Sequence, residues 1–294
     1  MEETGNKVRR LPPWLKKRVP AETGPVPLDC LAELRLDTIC RGARCPNRLD
    51  CRSRGRAAFL IMGPNCTRAC RFCAVESGRP AQLDPDEPSR LALAAKRLGL
   101  RHVVVTSVTR DDLPDGGAGH FARTVAAIRE NCPGATVEIL VPDFRGDEAA
   151  WAVAADSRPD VFNHNLETVE RLYDLVRPGA DFGRSLALLD FVKERRPELT
   201  TKSGLMLGLG ERREEIVEAA RALRDAGAAI LTVGQYLRPA GARTLPVERF
   251  VAPEEFAAIE AELMALGFAS AVCSPFVRSS YNAEEAFLQV SGRD

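Results

Sequence analysis

The chain has 294 residues, enough for one barrel-sized domain or two small ones, and its 45% hydrophobic and 28% charged residues are the balance of a globular protein. Forty-one Lys and Arg offset forty-one Asp and Glu, which removes any global attraction to nucleic acid or to an anionic membrane. No apolar run approaches the roughly 18 residues of a membrane span. The opening MEETGNKVRRLPPWLKKRVP has no apolar signal core, so the expected compartment is the cytoplasm, where nine cysteines point to metal or redox chemistry rather than disulfides.

Residues 1–29 are proline-rich and basic, without regular periodicity. Lys7, Arg9, Arg10, Lys16, Lys17 and Arg18 could steer an acidic partner. A solvated tail is the simpler reading, and Trp14, among prolines and lysines, suggests packing against the body. Residues 30–56 hold Cys40, Cys45 and Cys51 and little apolar pattern. From residue 57 strand-like runs begin: AAFLIM (57–62), HVVVTS (102–107), TVEIL (136–140), DVFN (160–163), KSGLML (202–207) and AAILTV (228–233). Between them, SRLALAAKRLGL, HFARTVAAIREN, DEAAWAVAAD, TVERLYDLV with RSLALLDFVKERR, and REEIVEAARALRDAG place apolar residues at helical spacing. A last helix, PEEFAAIEAELMALG, leads into FASAVC. Six alternations predict parallel βα units, in an open doubly wound sheet or an incomplete α/β barrel. Either arrangement gathers chemistry at the C-terminal ends of the strands.

Six of the nine cysteines lie between residues 40 and 73, in two groups of three. Cys66, Cys70 and Cys73 form C-x3-C-x2-C directly after the first predicted strand. Short loops let three thiolates converge on one centre without a large closure cost. Thiolates select zinc, Cu(I) or iron–sulfur clusters, and the neighbours Arg68 and Arg71 favour the thiolate form. Cys40, Cys45 and Cys51 form the less specific C-x4-C-x5-C. Either trio could instead be a zinc loop completed by a distant ligand.

The C-x3-C-x2-C spacing, with Phe72 before the last cysteine, resembles the radical S-adenosylmethionine superfamily. The resemblance to the lipoyl synthases within it covers nearly the whole chain, from RRLPPWLK to VRSSYNA. It runs through CPN, CRFCAVESGRP, TSVTRDDLPDGGAGHFA, PDFRGD, PDVFNHNLETVERLY, RPGADFGRSLALL, TKSGLMLGLGE and GQYLRP in the family's order. That resemblance implies a partial (β/α)6 TIM-type barrel over residues 57–267. An N-terminal extension (1–56) and a C-terminal segment (268–294) would carry an auxiliary iron–sulfur cluster.

It also implies the chemistry. Cys66, Cys70 and Cys73 would hold a [4Fe–4S] cluster with one open iron for S-adenosylmethionine. Cys40, Cys45 and Cys51 would hold a second [4Fe–4S] cluster whose fourth ligand is a serine of RSSY: Ser280, with Ser279 as the alternative. A helix N-cap before NAEEAFLQV is the plain reading of these serines. The implied activity is a sulfurtransferase that inserts two sulfurs, at carbons 6 and 8, into an octanoyl chain on a lysine of a carrier domain. The second cluster would be the sulfur source. The implied partners are the octanoylated lipoyl domain of a 2-oxoacid dehydrogenase E2 or a glycine cleavage H protein, and a ferredoxin or flavodoxin as electron donor.

Strand-end candidates for cofactor contacts are Thr106, Ser107, Asn163, Asn165, Glu167 and the polar residues near Lys202 and Ser203, with loop capping as the ordinary alternative. DGGAG (115–119) and GLGE (208–211) match neither a dinucleotide loop nor a P-loop. Cys30, Cys132 and Cys273 lack motif partners. His102 and His120 read as structural, and His164 as a candidate cavity residue. Arg41, Gly42, Thr244 and the CSPF stretch depart from the family pattern without removing a cluster ligand. A radical enzyme acting on RNA would need a basic recognition surface or an appended module, and neither is evident.

Overall fold

The structure is a computed structural model and describes residues 10–17, 29–239 and 244–292. Seven strands lie side by side in chain order, all parallel: β1 (Ala58–Ile61), β2 (His102–Ser107), β3 (Thr136–Leu140), β4 (Val161–Asn163), β5 (Thr200–Leu207), β6 (Ile230–Gln235) and β7 (Ser270–Ser274). A two-residue strand, Asp37–Thr38, pairs antiparallel with β1 and forms one edge of the sheet. The crossovers carry α1 (Glu87–Arg97), α2 (Ala118–Asn131), α3 (Glu148–Asp156), α4 (Phe182–Arg195), α5 (Arg213–Asp225) and α6 (Pro253–Ala265). Neighbour-to-neighbour order with a helix after each strand is the partial α/β barrel.

The strands are continuous β-branched and aromatic runs because both faces are covered: Phe59, Ile61, Val103, Val105, Ile139, Phe162, Leu231 and Val233 are all wholly buried. The helices meet them with one stripe each. In α5 the buried apolar residues are Ile216, Ala219, Ala220 and Leu223, at helical spacing, and most of its charges lie on the other face.

The six predicted strands form, and a seventh continues the sheet. SAVCS pairs along its length with β6, from Ser270↔Ile230 to Ser274↔Gly234. Its serines dilute the apolar signal, which is why the sequence reads it as a trailing segment. TVERLYDLV is not one helix but a 3-10 turn, Glu170–Leu172, and a short helix, Tyr173–Val176. Pro178 and the left-handed Gly179 then separate it from α4.

Two flanking segments complete the molecule. The described N-terminal residues are anchored rather than loose. Trp14 donates its indole N–H to the Val251 carbonyl at 3.2 Å, and Lys17 donates to Asn47 Oδ1 at 2.7 Å and lies over the rings of Phe276 and Tyr281. Lys7, Arg9 and Arg18 lie outside the described residues. At the other end α7 (Ala283–Ser291) reaches from β7 to β2 and β5, where Phe287 stacks on His102 with centroids 6.1 Å apart. No helix among the described residues is long and apolar enough to cross a membrane.

Candidate active site

A cavity of about 540 Å³ opens where the C-terminal ends of the strands meet the two flanking segments. Cys66, Cys70 and Cys73 line it from one side, and Cys40 and Cys45 from another. Cys51 stands behind them and borders, with Cys40 and Ser280, an adjoining space of about 40 Å³. The topology thus brings both trios to one end of the barrel.

The C-x3-C-x2-C loop is held by polar ties. Its two ends pair as short parallel strands, Asn65↔Glu76 and Cys66↔Ser77. Arg68 donates two hydrogen bonds to Asp111, at 2.7 and 2.9 Å, and one to Asp143 at 2.7 Å, and Arg184 donates to the other Asp143 oxygen at 2.8 Å. Burial alone would raise the Asp143 carboxyl. The hydrogen bonds and charge of Arg68, with Arg184, outweigh it and hold the group well below the usual carboxylate range. The charge of Arg68 is therefore engaged in bracing the loop, and the cation that acts most on Cys70 is Arg177.

The sulfurs themselves are supplied with donors. Cys66 Sγ accepts from the backbone N–H of Arg68 at 3.4 Å and of Thr109 at 3.3 Å, and Cys73 Sγ accepts from Val75 N–H at 3.4 Å. Burial pushes the Cys73 and Cys51 thiols up to about 12 and also raises Cys40 and Cys70. Neighbouring thiols add to each of these shifts. Thiols this buried and this close ionise readily only against a cationic centre, and backbone N–H groups aimed at sulfur are the usual surroundings of an iron–sulfur cluster. The donor set fits such a group. Among the described residues no three or more His, Cys, Asp or Glu side chains stand in the arrangement of a single-ion site.

The first trio is docked onto the C-terminal segment. Asn47, 1% exposed, donates to the Phe276 carbonyl at 2.6 Å. Tyr281 donates to Asp50 at 3.0 Å, and Arg56 bonds Asn282 and Glu285. These ties set Ser280 against Cys40 and Cys51. Ser279 turns the other way and donates to Asn165 Oδ1 at 2.8 Å. Neither serine caps α7, whose cap position is the left-handed Asn282 with no side-chain cap bond.

The strand-end candidates divide. Thr106, Ser107, Asn165 and Glu167 line the cavity. Thr106 commits its hydroxyl proton to the Leu140 carbonyl, whereas Ser107 Oγ is buried without a partner. Asn165 donates to Glu167 Oε1 at 3.0 Å. Burial raises the Glu167 carboxyl, opposed first by Arg177 and also by Arg278. Asn163 stands apart: its amide donates to Glu138 inside the barrel at 3.0 Å. Lys202 is likewise wholly buried against Glu138, with two contacts of 2.9 Å, and Ser203 Oγ accepts from Leu166 N–H. None of these three side chains lines the cavity: Asn163 and Lys202 meet Glu138 deeper in the barrel, and Ser203, adjacent to Lys202 on β5, faces the other side of the sheet.

His164 does line the cavity. Its Nδ1–H donates to the Val141 carbonyl at 2.8 Å, which leaves a buried, unpartnered Nε2 as acceptor. Burial and the charge of Arg177 bring it down to about 4, so the ring is neutral. His120 is structural, bonded to Glu87 at 2.7 Å. Cys273 is buried and Cys132 contacts the Ala92 carbonyl, both away from the cavity.

Arg177 and Arg278 are site residues that no motif chemistry in the sequence singles out. Arg177 donates to the carbonyls of Asn165 and Leu166 and to Tyr173 OH. Arg278 lines the cavity with its charge facing Cys45 and Glu167. Both lie in stretches whose family likeness was visible, RPGADF and VRSSY, but nothing along the chain says where their charge lands.

Residues 60–223 match the model of the Radical SAM superfamily. Among solved structures, HydG, a maturase of the [FeFe]-hydrogenase, shares the fold at a TM-score of 0.59 with 15% identity, covering 79% of this chain and 53% of its own. Methylornithine synthase (PylB) does so at 0.55 with 17% identity, covering 82% and 74%. Among curated relatives, the lipoyl synthase of Caldanaerobacter subterraneus subsp. tengcongensis is 53% identical over 275 residues, 94% of this chain and 96% of that one. The lipoyl synthase of Aeromonas hydrophila subsp. hydrophila is 49% identical over 297 residues, 100% of this chain and 91% of that one. With two cysteine trios at one end of a radical SAM barrel and half of its residues shared along the full chain, the protein belongs to the lipoyl synthase family.

Proposed function

We propose that this protein is the sulfurtransferase of that family and inserts two sulfur atoms, at carbons 6 and 8, into an octanoyl chain carried on a lysine of a small protein domain. The observation that carries the reading is the shared space: five motif cysteines line one cavity, and the sixth lies directly behind it with Ser280. Cys66, Cys70 and Cys73 would hold the [4Fe–4S] cluster that binds S-adenosylmethionine, and Cys40, Cys45 and Cys51, with Ser280, the second. When bound, the first supplies the electron that splits S-adenosylmethionine to a 5′-deoxyadenosyl radical, and the second supplies the sulfur.

The chain's own residues bind, orient and exclude water. Ser107 Oγ and His164 Nε2, buried without partners, offer a hydroxyl and a lone pair to the polar groups of S-adenosylmethionine. Thr106, Asn165 and Glu167 flank them, and Arg177 favours an anionic group beside Cys70. Ile39, Val108, Val141, Leu205 and Val277 line the same cavity and suit an acyl chain kept from water. Serine as a cluster ligand fits a donor role. An oxygen holds iron less firmly than thiolate does, so Ser280 can let go while the cysteines stay.

The carrier in this reading is the octanoylated lipoyl domain of a 2-oxoacid dehydrogenase E2 or a glycine cleavage H protein. A ferredoxin or flavodoxin is the electron donor, and the setting is the cytoplasm. In the division into residues 1–56, 57–267 and 268–294, the first is the auxiliary extension, the second carries the first six strands of the radical barrel, and the third carries its seventh strand and the ligand serine. Anaerobic turnover with an octanoyl-lysine peptide tests all of this by mass. Wild type gains two sulfurs, Cys66→Ala makes no 5′-deoxyadenosine, and Cys45→Ala cleaves some S-adenosylmethionine without inserting sulfur. Lipoyl product from Cys45→Ala would remove the second cluster as the donor.

A further inference from the structure

Ser279 and Ser280 are neighbours that face different halves of the cavity. Ser280 borders the space behind Cys40 with Cys51. Ser279 donates at 2.8 Å to Asn165 Oδ1, and Asn165 Nδ2 donates at 3.0 Å to Glu167 Oε1. The order of this chain follows from its last member. A carboxylate oxygen accepts, so the amide turns its NH2 group toward Glu167 and leaves its oxygen for Ser279, whose hydroxyl must then donate. A hydroxyl with its proton committed in this way is poorly disposed to bind iron as an alkoxide.

The packing beneath reinforces the arrangement. A Cβ on Gly204 would stand 2.9 Å from Ser279 Oγ, from Asn165 Oδ1 and from Thr232 Oγ1, so three oxygens converge where only a glycine fits. Glu167 itself has a left-handed backbone, φ 71, held by bonds from its N–H to the Gly204 carbonyl and to its carbonyl from Met206 N–H. Non-glycine residues kept in that region by their surroundings cluster at functional sites, and this one lies on the cavity wall.

We infer that Ser279 is a positioning residue for the S-adenosylmethionine half of the site, acting through Asn165 on Glu167, while Ser280 serves the auxiliary half. The inference rests on the functional reading above. It makes residues 277–280 common to both halves: the barrel alone does not complete the cofactor site, and docking of the C-terminal segment does.

The test uses anaerobically reconstituted full-length protein. Ser279→Ala should weaken S-adenosylmethionine binding, read by equilibrium dialysis, about five- to tenfold, the effect of one hydrogen bond. Iron and sulfide content should stay at the wild-type value, and Ser279→Thr should restore binding. Asn165→Ala removes the middle member of the chain, and the double variant should bind no worse than Asn165→Ala alone. Unchanged binding in Ser279→Ala overturns the inference. So does loss of about half the iron, which would make Ser279 the cluster ligand. Wild-type protein that held no iron–sulfur cluster would instead defeat the functional reading, so the two failures are distinguishable.

Discussion

The most demanding single residues are charges kept from water. Glu138, wholly buried inside the barrel, receives Lys202 on both oxygens and the amide of Asn163, with His102 Nε2 at 3.6 Å. Burial would raise its carboxyl. The charge of Lys202, with His102, overcomes that and brings it down to about 2. An unfolded glutamate titrates at about 4.3, so the folded value is the lower. The pair's contribution is therefore full above that pH and is lost as pH falls toward 2. Glu138→Gln, which leaves the Lys202 ammonium buried without its counter-charge, should cost about 3–5 kcal/mol at neutral pH. The variant should also show a shallower loss of stability in acid than wild type. Urea midpoints stepped from neutral pH downward check both, and cluster loss in acid, common to both proteins, cancels in the difference. None of this was legible beforehand. In the sequence Lys202 and Asn163 stand among apparent strand-end contacts, and only the register of the sheet, which pairs Asn163 with Lys202 beside the strand of Glu138, shows that they meet inside the barrel.

Among elements, the C-terminal loop is the one whose path leaves least freedom. It crosses β6 at Gly234, where an added Cβ would stand 2.1 Å from the Val277 carbonyl oxygen and 3.0 Å from Arg278 Nη1. A backbone carbonyl cannot swing aside as a long side chain can, so Gly234→Ala should lift the loop off the sheet. On the proposed ligand assignment the expected result is protein with about half the wild-type iron, the cluster of Cys66, Cys70 and Cys73 retained and that of Cys40, Cys45 and Cys51 lost, together with weaker S-adenosylmethionine binding. Iron analysis on the reconstituted variant decides it, and a full iron complement would show that the loop is not what closes the auxiliary site. The strands and helices of the barrel were readable from periodicity because each buries a continuous run or stripe. The loop was not: its place depends on one glycine in β6 and on hydrogen bonds to residues more than a hundred positions away, such as Ser279 to Asn165.

At the scale of the whole molecule, core is unevenly shared. The barrel owns nearly all the buried apolar side chains, whereas among described residues 29–56 Leu31 is the buried hydrophobe. That stretch packs the partly buried Leu34, Leu36 and Ile39 beside it and adds the edge pairing of Asp37–Thr38 with β1; the rest is polar ties: Lys17 and Phe276 to Asn47, Tyr281 to Asp50, and Arg56 to Asn282 and Glu285. Each such bond contributes only about 1 kcal/mol net, too little to order a segment whose backbone alone costs about 1–2 kcal/mol per residue to fix. A shared iron–sulfur core bound by Cys40, Cys45, Cys51 and Ser280 would make up the difference, since metal binding free energy is folding free energy where ligands bring little core of their own. Removing iron with a chelator under anaerobic conditions should therefore act locally. Amide hydrogen exchange should accelerate by orders of magnitude in residues 30–56 and 276–282, while the central strands β2, β3 and β6 keep their protection. Uniform loss of protection would mean that the barrel itself depends on the clusters, and unchanged exchange in residues 30–56 would mean that the polar ties suffice.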